Sequence, residues 1–117
     1  MEFSFHNANG NRIAELKGEG QPINEIEDAV DLLGNAEYQG AQRIIIHAHH
    51  LHPDFFDLRS GIAGDILQKF SNYRMKLAIV GDFSNIKSKA LNDFIYESNK
   101  QGNILFLSSV EEAVRKI

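Results

Sequence analysis

Three short apolar runs constrain this chain more than any other feature: Arg43-Ile-Ile-Ile-His47, Met75-Lys-Leu-Ala-Ile-Val-Gly81 and Asn103-Ile-Leu-Phe-Leu107. Each is rich in branched or aromatic residues and lacks polar alternation, so each reads as a strand covered on both faces. Between them the apolar spacing switches to the helical period. Ile26, Ala29, Val30 and Leu33 fall on one face, with Asn24 and Glu27 as a capping box and Gly34 and Gly40 punctuating the end. Ile62, Ile66, Leu67, Phe70 and Tyr73 trace a second stripe, and Ala90, Leu91, Phe94 and Ile95 a third. Ser108 and Ser109, each followed three residues later by glutamate, announce a last helix with Val110, Ala113, Val114 and Ile117 on its apolar face.

Ahead of these units, Met1 to Phe5 and Arg12 to Leu16 flank a turn-rich patch with Asn9-Gly10, which reads as a β-hairpin. The order is ββαβαβαβα. Strands alternating with helices imply a mixed, mostly parallel five-stranded sheet with right-handed crossovers. At 117 residues the expectation is one α/β domain spanning residues 1–117.

Composition narrows the function. The net charge of -4 argues against a nucleic-acid or anionic-membrane binder, because such binding needs clustered lysine and arginine. The chain has no cysteine, which excludes disulfides, thiolate nucleophiles and cysteine-held metals. No apolar run resembles a signal peptide or a membrane span, so a cytoplasmic location is expected.

Candidate chemistry gathers between the first two covered strands and their partner helix. Four of the five histidines, His47, His49, His50 and His52, fall within six residues, followed by Asp54 and Asp57. Imidazole and carboxylate suit zinc or nickel, and His47 and His49 would share a face if the strand continued. No helical or HExxH-type spacing fixes that geometry, so the expectation is a polar loop with no metal and no cofactor. Asp57 and Ser60 read either as a binding or modification site or as helix caps. Arg59, Lys87 and Lys89 read as an anion site or as solvated charge. Gly61 and Gly64 allow either a close-approaching ligand or close helix–sheet packing. Asp82 and Ser84 follow a strand end, where they bind a ligand or shape the turn. Phe55 and Phe56 are adjacent, so in a regular element one points away from the core as a partner anchor, whereas a tight turn would tuck in both. There is no phosphate-binding glycine loop and no nucleophile elbow, and no catalytic residue is assigned.

The strings His52-Pro-Asp-Phe-Phe-Asp-Leu-Arg-Ser-Gly-Ile-Ala-Gly-Asp-Ile-Leu-Gln-Lys-Phe-Ser-Asn-Tyr-Arg, Lys76-Leu-Ala-Ile-Val-Gly-Asp-Phe-Ser and Phe94-Ile-Tyr-Glu-Ser-Asn resemble the bacterial domain-of-unknown-function family 4180 over nearly the whole chain. More remotely, the element order and Asp57-Leu-Arg-Ser-Gly-Ile-Ala-Gly64 resemble STAS domains, the sulfate-transporter and anti-sigma-factor-antagonist fold. Their hallmark, Asp-Ser-Ser-Gly-Leu-Gly, opens the helix after a central strand. In antagonist members a partner kinase phosphorylates the serine before the glycine. That resemblance implies a STAS-like fold, with Ser60 as the switch position and Gly61 and Gly64 as helix-opening glycines. Two residues separate Asp57 from Ser60, where the hallmark has one.

The resulting expectation is a regulatory or interaction module that works by binding. Its surface would comprise the 47–64 segment and the 82–89 loop, with His47, Asp57, Arg59, Ser60, Gly61, Gly64, Asp82 and Ser84 as binding or regulatory residues. Phe55 and Phe56 would contact a protein partner. A homodimer and a small ligand are further partner candidates. The alternatives are a small-molecule or lipid carrier, and a metal-dependent enzyme using the His47–His52 cluster.

Overall fold

The computed structural model describes residues 1–117. Strands β1 (Phe3–Ala8) and β2 (Asn11–Leu16) form an antiparallel hairpin. Asn9 and Gly10 both take positive φ, 53° and 79°, as a two-residue hairpin turn that follows the strand twist requires. Helix α1 (Ile26–Tyr38) leads to β3 (Arg43–His47), α2 (Ile62–Asn72) to β4 (Lys76–Val80), and α3 (Lys89–Gln101) to β5 (Ile104–Leu107). A short helix α4 (Val110–Lys116) ends the chain. The sheet runs β1-β2-β3-β4-β5, and every pairing after the hairpin is parallel.

Each crossover advances one strand in the same direction. Right-handed crossovers therefore place α1, α2 and α3 on one face. That face holds the larger core, where Ala14, Leu16, Ile44, Ile46, Leu77, Ile79 and Phe106 meet Leu32, Leu33, Ile66 and Phe70. On the other face α4 covers a smaller cluster around Ile13, Ile45, Ala78, Leu105 and Ala113. Covering on both sides explains why the strands carry apolar runs without alternation.

Three local expectations change. Helix α1 begins one residue later than the Asn24–Glu27 capping box implies. Asp28, not Glu27, reaches back, accepting from the N–H groups of Asn24 and Glu25 at 2.9 and 3.1 Å. Gly34 lies inside α1 and does not end it, because buried Leu32, Leu33 and Ala36 carry the apolar face past it and outweigh its cost of about 1 kcal/mol. The helix stops before Gly40, at φ +84°. Tyr73 caps the end of α2 and is 39% exposed, while Ala63 takes the buried place on the stripe. The last helix starts as expected: Ser109 Oγ accepts from Glu112 N–H, and the Glu112 carboxylate accepts from Ser108 N–H.

Candidate functional site

The strand β3 ends at His47, and the chain turns at once into a 3₁₀ turn over Ala48–His50. His47 and His49 therefore do not continue as strand neighbours. Their rings stack, with centroids 5.6 Å apart, because the turn folds His49 back. His50 is buried and fully bonded. Its Nδ1 accepts from His47 N–H at 2.9 Å, and its Nε2 donates to the Gly18 carbonyl at 2.8 Å. His49 Nε2 reaches the same carbonyl at 3.0 Å. Burial pushes the His50 imidazole below its usual range, against the opposing pull of the Gly18 carbonyl. His50 and Leu51 also pair with Ile23, which ties the 18–23 loop to this turn. His52 Nδ1 accepts from Asp54 N–H and so caps the next turn.

His47 instead joins a group that the sequence reading passed over. Glu15 is 5% exposed and sits on the α4 face of β2, with Ser4 and Ile45 as register partners. His6 and His47 lie diagonally on the flanking strands. Their Nε2 atoms meet the two carboxylate oxygens of Glu15, each at 2.9 Å. Lys17 Nζ lies 3.6 Å from the same carboxylate. Burial works to raise the Glu15 carboxyl, but the His47 and His6 hydrogen bonds and the Lys17 charge outweigh it and hold it below the usual range. The four loop histidines thus divide by role: His50 and His52 are structural, His49 props a loop, and His47 serves a buried carboxylate. No group of three or more His, Cys, Asp or Glu side chains has the geometry to hold a metal ion.

The 53–61 segment forms two consecutive 3₁₀ turns, Pro53–Phe56 and Leu58–Ser60. Asp57 caps the second turn, not α2: it accepts from Arg59 N–H at 3.2 Å and from Arg59 Nε at 3.1 Å. The Arg59 hydrogen bonds hold the Asp57 carboxyl below its usual range. Ser60 Oγ donates to the Asp54 carbonyl at 2.7 Å and accepts from Ile62 N–H at 3.2 Å, so it serves the first turn of α2. Gly61 takes φ +79°, a conformation that favours glycine. Gly64 is exposed, and an added Cβ would meet nothing within 4 Å, so helix–sheet packing does not require glycine there.

Phe55 is not presented to a partner. The tight turn tucks it into the main core at 1% exposure. Phe56 is half-buried, with its ring 5.0 Å from Phe55 and 6.2 Å from Phe83. That second contact joins the two loops singled out from the sequence. Ala48, Phe56, Phe83, Ile86 and Leu91 line an open depression of about 190 Å³, with Asp82 at its rim. Gly81 makes this meeting feasible: a Cβ there would stand 2.8 Å from Ala48 Cβ and 3.1 Å from Phe83 Cζ. Asp82 accepts from Ser84 Oγ at 2.6 Å and from Ser84 N–H at 3.0 Å, and these bonds keep its carboxyl below the usual range. Lys89 pairs with Asp93 one turn along α3, while Lys87 is exposed.

A family model described as "Domain of unknown function (DUF4180)" matches residues 8–117. Searches of curated proteins and of solved structures found no match. No helix is long and apolar enough to cross a membrane.

Proposed function

The chain belongs to the DUF4180 family, and we propose, from the geometry of its loops, that it is a non-catalytic regulatory or interaction module of the bacterial cytoplasm. Its working surface is formed by the 47–64 segment and the 82–89 loop.

The observation that carries this reading is the meeting of those two loops beyond the carboxyl ends of β3 and β4. Loops at the carboxyl ends of the parallel strands carry the binding residues of open α/β sheets, and here they meet without a topological switch point because the strand order never reverses. Phe56 and Phe83 supply apolar area, and exposed Asp57, Arg59, Ser60, Asp82 and Ser84 surround it with polar groups. An apolar centre with a polar rim is the anatomy of a protein-binding patch. At about 190 Å³ the depression is smaller than the roughly 300–1,000 Å³ of a ligand chamber. Between Phe56 and Phe83 that size favours a surface contact over an enclosed ligand, and the neighbouring hollow of about 370 Å³ along Ser84, Asn99 and Ser108 is open to solvent. The resemblance to STAS domains, taken as a proposal, adds a means of control: Ser60 is exposed, and a phosphate there would add about -1.5 to -2 charges beside the Arg59–Asp57 pair.

The test is site-specific photo-crosslinking in the native host. A crosslinker at position 59 or 85 should trap the same partner, and one at Asp31 on the exposed side of α1 should not. Equal trapping at all three positions, or trapping at Asp31 alone, would sink the assignment.

A further inference from the structure

The two edges of the sheet are treated differently. On β5, the backbone groups that point away from β4 belong to Ile104 and Phe106, since Asn103 and Leu107 carbonyls bond to β4 and the residue following it. Helix α3 closes this edge with its own side chains. Asn99 Oδ1 accepts from Phe106 N–H at 2.7 Å, Asn99 Nδ2 donates to the Phe106 carbonyl at 3.2 Å, and Ser98 Oγ donates to the Ile104 carbonyl at 2.6 Å. A new strand cannot pair there without displacing them.

The β1 edge has no such cover. Lys17 N–H bonds to the Glu2 carbonyl, so along this antiparallel ladder Glu2, Ser4, His6 and Ala8 face β2. The N–H and C=O groups of Phe3, Phe5 and Asn7 then point outward, and no side chain reaches them. Natural sheets blunt a bare edge with charge, proline, a bulge or a very short strand. This edge is the regular six-residue strand Phe-Ser-Phe-His-Asn-Ala, without lysine, arginine, aspartate, glutamate or proline. Phe3 and Phe5 are half-buried, with rings 6.0 Å apart, and the Arg12 guanidinium lies 3.7 Å from the Phe5 ring centroid, so the surface beside the open backbone is apolar with one cation stacked on it.

We infer that β1 is a homodimer interface, in which two copies pair their β1 strands antiparallel about a two-fold axis at Phe5. The pattern is self-complementary in that register. Phe5 faces Phe5 of the second copy, and Phe3 faces Asn7, so outward-pointing groups meet only outward-pointing groups and about six backbone hydrogen bonds form. On the helix-covered face the two Phe5 rings become cross-strand neighbours, each stacked with its own Arg12 guanidinium, which is tethered to the Gln39 carbonyl. On the other face Ser4 meets His6, which places no carboxylate or ammonium opposite its like. Pairing at β1 joins two five-stranded sheets into one and leaves Asn99-closed edges at both ends. A second copy fits this pattern because a two-fold contact needs one patch that complements itself.

The test combines mass and exchange. Light scattering across about 10 µM to 1 mM should show the mass rising from 13.2 kDa toward twice that value. In the same range, the amides of Phe3, Phe5 and Asn7 should gain protection from hydrogen exchange while solvent-facing loop amides do not. Asn7→Pro removes an outward donor at an edge position where proline is tolerated, and should weaken association at least tenfold with an unchanged circular dichroism spectrum. If that variant fails to fold, exchange in the wild-type protein decides the question. A monomer at 1 mM, a dimer whose Phe3, Phe5 and Asn7 amides exchange freely, or a folded Asn7→Pro variant that dimerises as well as the wild type would each overturn the inference.

Discussion

Replacing His50 tests how the histidine loop is held. The ring is 1% exposed and satisfies both nitrogens, one on His47 N–H and one on the Gly18 carbonyl. In His50→Ala the His47 N–H loses its partner, at about 1–3 kcal/mol for a buried donor left unpaired. The Gly18 carbonyl keeps His49, so losing the second bond costs only about 1 kcal/mol. Some packing is lost as well, for an expected total of about 3 kcal/mol. With an unfolding entropy of about 2.1 cal/mol/K per residue, that lowers Tm by roughly 12 °C for a chain of this length. His50→Asn places an oxygen where Nδ1 lies and keeps the His47 bond, so it should lose only about 1 kcal/mol, or roughly 4 °C. Burial depresses the folded imidazole, so the unfolded chain binds the proton more readily. The stabilisation is therefore full above the unfolded value near 6.5 and is lost as the pH falls through the folded value. Urea melts at pH 7.5 and 5.5 should show a larger drop for the wild type than for either variant. Equal Tm values for the alanine and asparagine variants, or wild-type and variant stabilities that fall in parallel with pH, would refute the reasoning.

Glu15→Gln should cost about 1–2 kcal/mol at pH 7, through loss of charge assistance in two hydrogen bonds. Because the folded carboxyl is held low, the wild type's advantage is present above the unfolded value near 4.5 and is lost as the pH falls through the folded value, so denaturant melts of the two proteins should converge in acid. Gly81→Ala should destabilise by about 1–3 kcal/mol through overpacking against Ala48, and should displace the Phe83 ring, visible as shifted aromatic NMR resonances. Ser60→Ala should cost at most about 1 kcal/mol as a lost cap, whereas Ser60→Asp should keep the fold and change crosslinking from position 59. Identical trapping by the two variants, with no phosphate on Ser60 in the native host, would leave Ser60 as a cap alone.

The sheet was legible because its signals are local: Asn9-Gly10 demands a hairpin, and unbroken runs such as Ile44-Ile45-Ile46 demand cover on both faces. Capping was legible only where geometry left one solution. Ser109 satisfied it, while Asn24 yielded because Asp28 reaches the same N–H groups from inside the helix. Phe55 and Phe56 could not be separated by spacing, since a 3₁₀ turn gives adjacent residues different depths without regular alternation. The Glu15 group was hidden for another reason. Its members come from three strands, and only the register brings His6 and His47 to one carboxylate. A hint was available in Ile13-Ala14-Glu15-Leu16, where an acid occupies a strand position that the neighbouring pattern marks as inward.

The sheet's spatial order repeats its order along the chain. Every strand therefore docks on the one made immediately before it, and no segment must wait for a distant partner or thread past another. A chain emerging from the ribosome can add each helix–strand unit to a surface already present. Loop-closure cost rises only slowly with length, so it stays similar and modest at each step. The same property localises damage. Loss of the β1 strand removes an edge while β3 and β4 keep both strand neighbours, whereas loss of α4 uncovers the smaller cluster around Ile13, Ile45, Ala78 and Leu105. In limited proteolysis the chain should be trimmed from its ends inward.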